Sequence, residues 1–235
     1  SDHVEKNILG NLYTPIIHST ICKEHKVPLK RGILLSGPYG TGKTLVANVT
    51  AKRCVENGWT FLMCEQADEL TEMVDFAHQY QPAVVFCEDI DRVLDGERDI
   101  KMNDILNIID GIESKNTEII IVLTTNHVEK IHKAMLRPGR LDAIINLLPP
   151  DAKAAEKLIR IYARGLITQE EDLTEVGKAL ADTIPAVIRE CVERSKLYAI
   201  THNGHNKLEI TSKDLLGAVD SMKQQLDLLY GTREE

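Results

Sequence analysis

The sequence carries no surplus of positive charge, no closely spaced cysteine pair and no long apolar run. Lys and Arg number 28 against 36 Asp and Glu, for a formal net charge of −8. That balance argues against a broad basic face for nucleic acid. The local strip Lys23, Lys26, Lys30 and Arg31 reads as a solvated charged face. The five cysteines (Cys22, Cys54, Cys64, Cys87 and Cys191) include no C-x-x-C pair and are odd in number. They read as structural thiols in a reducing, cytoplasmic compartment rather than as a disulfide framework. The longest apolar runs, such as Ile119 to Leu123, are far too short to span a bilayer, so no membrane segment is expected. No signal peptide, internal repeat or low-complexity tract is visible.

What is present is a chain of 235 residues, 43% hydrophobic, enough to bury one large core or a large and a small one. Short apolar runs recur at Gly32 to Ser36, Phe61 to Cys64, Ala83 to Cys87, Ile119 to Thr124 and Ile144 to Leu148. Runs of this length, rich in Val, Ile and Leu, suit strands buried on both faces. Helical patterns lie between them at Thr44 to Asn57, Asp68 to Tyr80 and Met102 to Ile112. The alternation predicts an α/β domain with a parallel sheet.

After Pro149-Pro150 the strand signals stop. Asp151 can cap a helix running to about Arg164, a second helix starts near Pro185, and Thr211 or Ser212 can cap a last one. The expected inward faces are Val187, Ile188, Cys191, Val192, Ser195, Tyr198 and Ala199, then Leu215, Leu216, Val219, Met222 and Leu226. Arg189–Glu193 and Glu190–Arg194 have the spacing of surface pairs. The division expected is an α/β subdomain over residues 1–149 and a small helical subdomain over 150–235.

Four segments carry chemistry. Gly37-Pro38-Tyr39-Gly40-Thr41-Gly42-Lys43-Thr44 has the spacing G-x-x-x-x-G-K-T between a strand and a helix. Its glycines let backbone N–H groups approach phosphate oxygens, Lys43 can reach the β- and γ-phosphates, and the Thr44 hydroxyl can ligate Mg²⁺. Glu88, Asp89 and Asp91 close the apolar run at Ala83 to Cys87, where a parallel sheet has its ligand crevice. One carboxylate there can serve the Mg²⁺ shell and the next can polarise water; the plain alternative is a solvated acidic turn. Asn126 follows a buried strand and can position water or simply cap a turn. Leu136-Arg137-Pro138-Gly139-Arg140-Leu141-Asp142 puts two arginines around a Pro-Gly turn, suited either to phosphate or to a surface pair with Asp142. His202 and His205 flank an Asn-Gly turn without cysteine or acid partners at metal-ligand spacing.

Taken in this order, the loop, the acids, the asparagine and the Leu-Arg-Pro-Gly-Arg segment resemble the AAA+ ATPases, specifically the ring-forming AAA clade, from about Val4 to Leu229. The resemblance implies a P-loop NTPase fold, an α/β subdomain followed by a helical lid, with ATP and Mg²⁺ as ligands. It implies nucleotide contacts from Gly37, Pro38, Tyr39, Gly40, Thr41, Gly42, Lys43, Thr44, Leu45 and Tyr162, and metal contacts from Thr44 and Glu88. Lys43, Glu88, Asp89 and Asn126 would act in hydrolysis, with Arg137 and Arg140 as fingers reaching a neighbour's nucleotide. Fingers acting in trans imply a head-to-tail ring, and the family is usually hexameric; a protein client or partner is expected, unidentified by the sequence, with nucleic acid left open.

The sequence departs from that pattern in several places. The acid pair is reversed, Glu88 before Asp89 where relatives usually have Asp-Glu, so slow hydrolysis is expected. The segment from Cys64 to Glu72 runs quickly into a helix, about ten residues shorter than in relatives that thread polypeptides. It holds no pore aromatic, and Phe76 beyond it reads as core. Tyr39 replaces a proline at the crown of the loop. Tyr162 stands where many relatives have histidine, and Ile184-Pro185 where they have Gly-Ala. The leading expectation is a remodelling or motor ATPase, the second an ATP-dependent assembly switch. A DNA-associated loader is disfavoured by the acidic balance.

Overall fold

The computed structural model describes residues 2–91, 109, 117–131, 140–203 and 208–230. The chain divides into two compact units, Asp2–Leu147 and Leu148–Glu235.

The first unit is built on a five-stranded sheet. Its strands are β1 (Arg31–Ser36), β2 (Thr60–Cys64), β3 (Ala83–Cys87), β4 (Ile119–Thr125) and β5 (Ala143–Asn146). Their spatial order is β2-β3-β4-β1-β5 and every pairing is parallel. Side chains alternate across the sheet, and both faces are dry. Leu34, Val85, Ile119, Ile121 and Leu123 pack on one side with Leu70, Val74 and Ala77 of α5 (Leu70–Gln79). Ile33, Leu35, Val84, Phe86, Ile120 and Val122 pack on the other with Val46, Ala47 and Cys54 of α4 (Lys43–Glu56). Each interior strand therefore reads as an unbroken apolar run: all seven residues of β4 are buried.

The side holding α4 also receives an N-terminal helical segment that the sequence reading left unassigned. It comprises α1 (Asp2–Ile8), a wider π-type turn (Leu9–Tyr13), α2 (Thr14–Ile17) and α3 (Ser19–Glu24). Leu12, Ile16 and Cys22 are its buried contribution. The apolar positions in this stretch are sparse, so the 3.6-residue period is weak in sequence. The basic strip is partly neutralised: Lys23 pairs with Glu118 at 2.7 Å, and Arg31 donates to Asn11 Oδ1 at 3.4 Å.

The second unit is helical among its described residues. Asp151 caps α6 (Ala152–Ala163), its carboxylate accepting from the Ala154 N–H at 2.8 Å. A short helix, α7 (Thr174–Ala179), was not anticipated; it packs Gly177 against α6, where an added Cβ would come within 2.7 Å of the Ala152 carbonyl. Then follow α8 (Pro185–Asn203) and α9 (Ser212–Tyr230). Thr211 begins α9 in a reciprocal cap, its N–H donating to Asp214 at 2.9 Å.

Several expectations are corrected. Leu216 is exposed because the buried stripe of α9 runs through Leu215, Ala218 and Met222. Tyr198 lies at the edge of the α8 stripe, over Gly217, and stays partly exposed. Phe76 is not core: it is 46% exposed, on the side of α5 away from Val74, and its ring lies 4.6 Å from that of Tyr80. Glu193 is held by Lys196 at 2.6 Å, while Glu190 pairs with Arg194 at 2.8 Å. The helix expected at Met102 to Ile112 (apart from Ile109), Arg137 with its Pro-Gly turn, and Gly204-His205 lie outside the described residues.

Candidate functional site

Strand order fixes which loops meet. β1 lies beside β4, with Ser36 opposite Thr125, and β4 lies beside β3, with Leu123 opposite Cys87. The loops leaving the C-terminal ends of β1, β4 and β3 thus share one crevice.

The loop after β1 begins at Gly37, where a Cβ would fall 2.2 Å from the Leu147 carbonyl oxygen; no side chain fits there. It ends at Gly42, which caps α4 with φ of +105°, a conformation that favours glycine. The backbone N–H groups at the start of α4 are left for an anion, with the positive end of the helix behind them.

Lys43, in the first turn, is only 8% exposed. Its three N–H donors find three acceptors: Gly37 O at 2.7 Å, Pro38 O at 3.0 Å and Asn126 Oδ1 at 2.7 Å. Burial lowers its pKa, while Asp89, Asp91 and Glu88 oppose that shift. The Tyr39 ring centroid lies 5.8 Å from the ammonium, within cation–π reach, and the ring is 60% exposed. Leu45 is exposed one position beyond Thr44.

The acids divide between partners. The Thr44 hydroxyl donates to Glu88 Oε1 at 2.7 Å. Asp89 adopts a left-handed backbone with φ of +48°, and its N–H donates to Thr124 Oγ1 at 2.9 Å. The Asn126 amide bridges the two charges, its oxygen on Lys43 and its Nδ2 donating to Asp89 Oδ1 at 2.8 Å. That orientation is the one the amide requires, acceptor toward the cation and donor toward the carboxylate. Asp91, to which sequence reasoning gave no role of its own, is buried and accepts from the Thr125 hydroxyl at 2.8 Å and the Asn126 N–H at 3.1 Å. The available signal was its place two residues beyond Asp89, still inside the apolar context of Ile90.

Thr44 and Glu88 offer hard oxygen donors at adjoining positions, which suits Mg²⁺. Among the described residues no group of three or more His, Cys, Asp or Glu forms a metal cage. A cation here would complete its shell with phosphate oxygens and water.

The Arg140 backbone lies away from this crevice in its own chain. Its backbone carbonyl lies over Gly32, 2.4 Å from where a Cβ would sit, and the Asp142 carboxylate accepts from the Gly32 N–H at 2.8 Å. Gly32 is five residues up β1 from Gly37, roughly 16 Å at the rise of a strand. Tyr162 belongs to the other unit, where it packs against that unit's core and burial raises its pKa.

Residues 33–148 match the model of the "ATPase family associated with various cellular activities (AAA)". The chain belongs to this AAA family. The match begins in β1 and ends two residues after β5, so it takes in the whole crevice. The AAA chain is similar to the 26S proteasome regulatory subunit 8 homolog of Schizosaccharomyces pombe, 26% identical over 96% of this chain and 62% of that protein. It is similar to the proteasome-associated ATPase of Thermomonospora curvata, 32% identical over 84% of this chain and 38% of that protein. A third relative is the 26S proteasome regulatory subunit 8 homolog of Encephalitozoon cuniculi, 26% identical over 93% of this chain and 59% of that protein. The chain thus spans between 38% and 62% of the length of these relatives. Among the described residues no helix is long and apolar enough to cross a membrane.

Proposed function

We propose that this AAA module binds ATP with Mg²⁺ and hydrolyses it as one member of a homo-oligomeric ring, hexameric in the family's usual form. The observation that carries the reading is the convergence of Lys43, the Thr44–Glu88 pair and the Asn126–Asp89 pair at adjoining strand ends. The backbone of residues 37–44 and the Lys43 ammonium would bind the phosphates. Thr44 and Glu88 would hold Mg²⁺, Glu88 partly through water; the ion would neutralise charge on the β- and γ-phosphate oxygens. Asp89 would accept a hydrogen bond from the attacking water, and Asn126 would orient that water and the γ-phosphate. Arg137 and Arg140 would serve a neighbour's nucleotide. The distance of Arg140 from its own phosphate loop supports action in trans. The helical unit would act as a lid, with Tyr162 toward the base. Relatives named as a proteasome regulatory subunit homolog and a proteasome-associated ATPase support a protein partner and a cytoplasmic setting.

A second reading, an ATP-dependent assembly switch with slow hydrolysis, is favoured by two observations. Asp89 is short and tied back to Asn126. The link from β2 to α5 is only Glu65 to Glu69, with no aromatic to grip a threaded chain. ATP turnover measured beside mass by light scattering, with and without ATP, tests both readings. The motor reading expects turnover that rises with a protein partner. The switch reading expects ATP-driven assembly with turnover below about one per minute, well under the usual enzyme range. No binding and no assembly would overturn both.

A further inference from the structure

We infer that Asp91 is a positioning residue of the ATPase, a buried carboxylate that sets the loop after β4 so that Asn126 meets Lys43 and Asp89 at once. The inference rests on the proposed hydrolysis for its consequence on rate, but not for its geometry. Asp91 is 3% exposed, and a buried carboxylate is costly unless donors surround it. Its Oδ1 receives two, the Thr125 hydroxyl at 2.8 Å and the Asn126 N–H at 3.1 Å. The Thr125 hydroxyl in turn accepts from the His127 N–H at 3.0 Å. One carboxylate thereby ties down three successive residues where β4 gives way to loop.

The consequence lies one side chain further on. Asn126 bridges Lys43 and Asp89 at 2.7 and 2.8 Å, a span that tolerates little movement of its own backbone. A residue serving only to fill space here would be apolar, as Ile90 beside it is. Asp91 instead directs its charge at the amide and hydroxyl that locate Asn126.

The test uses the full chain and three variants. Asp91→Ala strands the Thr125 hydroxyl and the Asn126 N–H. It is expected to lower kcat at least about tenfold while changing ATP affinity less than about threefold. Asp91→Asn keeps an oxygen for both donors and is expected to recover most of that loss. Thr125→Val removes one of the two donors and is expected to fall between them, which keeps the test open if Asp91→Ala does not fold. Amide hydrogen exchange at Asn126, read by NMR without nucleotide, gives a measure independent of turnover: faster in Asp91→Ala, near wild type in Asp91→Asn. The inference is overturned if Asp91→Ala keeps both its turnover and its Asn126 protection. It is also overturned if kcat and affinity fall in equal proportion, or if Asp91→Asn is as impaired as Asp91→Ala. A wild-type chain that does not hydrolyse ATP would sink the proposed function, and the Asn126 exchange would still decide the role of Asp91.

Discussion

Asp89 combines two constraints that pull against each other. Its backbone is left-handed, which aspartate tolerates better than most residues, and its carboxylate is held by Asn126 Nδ2 at 2.8 Å. A glutamate at this position would carry the carboxylate one methylene further toward a nucleotide. If reach limits the rate, Asp89→Glu is expected to raise kcat several-fold at unchanged ATP affinity, with a small loss of thermal stability from the strained backbone. Turnover and ATP titration on the same preparation decide the matter, and an unchanged or lower kcat would show that reach is not limiting. Much of this site was legible in the sequence because its members carry local signals. Gly37 to Thr44 has a fixed spacing, and Glu88, Asp89 and Asn126 each end an apolar run. Which partner each acid takes was not legible. That Glu88 meets Thr44 while Asp89 meets Asn126 depends on β4 lying between β1 and β3, a non-local fact. Asp91 escaped for the same reason, since its donors lie more than 30 residues away in sequence.

Helices α4 and α8 each bury a cysteine in a different unit, and this gives the two units separate alkaline signatures. Burial pushes the Cys54 thiol on α4 up to about 12, and does the same to Cys191 on α8. Their ordinary value is 9.0. Between those limits the unfolded chain releases the proton and the folded chain keeps it. Stability is therefore intact below about pH 9 and declines as pH rises toward 12, by at most ~1.4 kcal/mol per pH unit for each thiol. Trp59, the single tryptophan, is buried in the same cluster as Cys54, and its backbone N–H donates to the Cys54 carbonyl at 2.9 Å. Its fluorescence should report the first unit. In urea titrations from pH 8 to 11, Cys54→Ala is expected to weaken the pH dependence of the Trp59 transition, the remainder coming from Cys87, which the Cys64 thiol and burial also push up, and from Tyr13, which burial pushes up; Cys191→Ala is expected to leave it unchanged. A Trp59 transition equally pH-dependent in wild type and Cys54→Ala would refute the assignment. The elements themselves were legible to different degrees. The interior strands β1, β3 and β4 were found because burial on both faces turns each into a short apolar run, and the edge strands β2 and β5 from apolar runs that are only partly buried. α6 was found from the cap at Asp151, α8 from the helix start near Pro185, and α9 from a cap at Thr211 or Ser212, of which the structure uses Thr211. The N-terminal segment and α7 were missed: each turns only a few apolar residues inward, too few to establish a period. Leu216 and Tyr198 show the limit of periodicity, since position on a stripe's edge is decided by the neighbouring helix.

For the whole molecule, the decisive geometric fact is that the candidate crevice and the Arg140 backbone lie at opposite ends of β1. The loop at Gly37 leaves its C-terminal end, while the Arg140 carbonyl rests on Gly32 near its start. A side chain cannot cross a separation of roughly 16 Å, so a finger role for Arg140 requires a second copy of the chain. The head-to-tail ring proposed above would supply it, because each interface would join the crevice of one copy to the arginine segment of the next. This arrangement gives complementation a definite stoichiometry. Lys43→Ala chains lose the crevice but keep the arginines, and chains carrying Arg137→Ala with Arg140→Ala lose the arginines but keep the crevice. Each is expected to be inactive alone. In rings assembled at random from equal amounts, a site works only where an intact crevice meets intact arginines, at about one interface in four. Turnover near one quarter of wild type, rising and falling as the mixing ratio is varied about equality, is the expected result. Mass measurements must show that the two chains share rings. Inactivity at every ratio despite shared rings would mean that each chain completes its own site, and the finger assignment would fail.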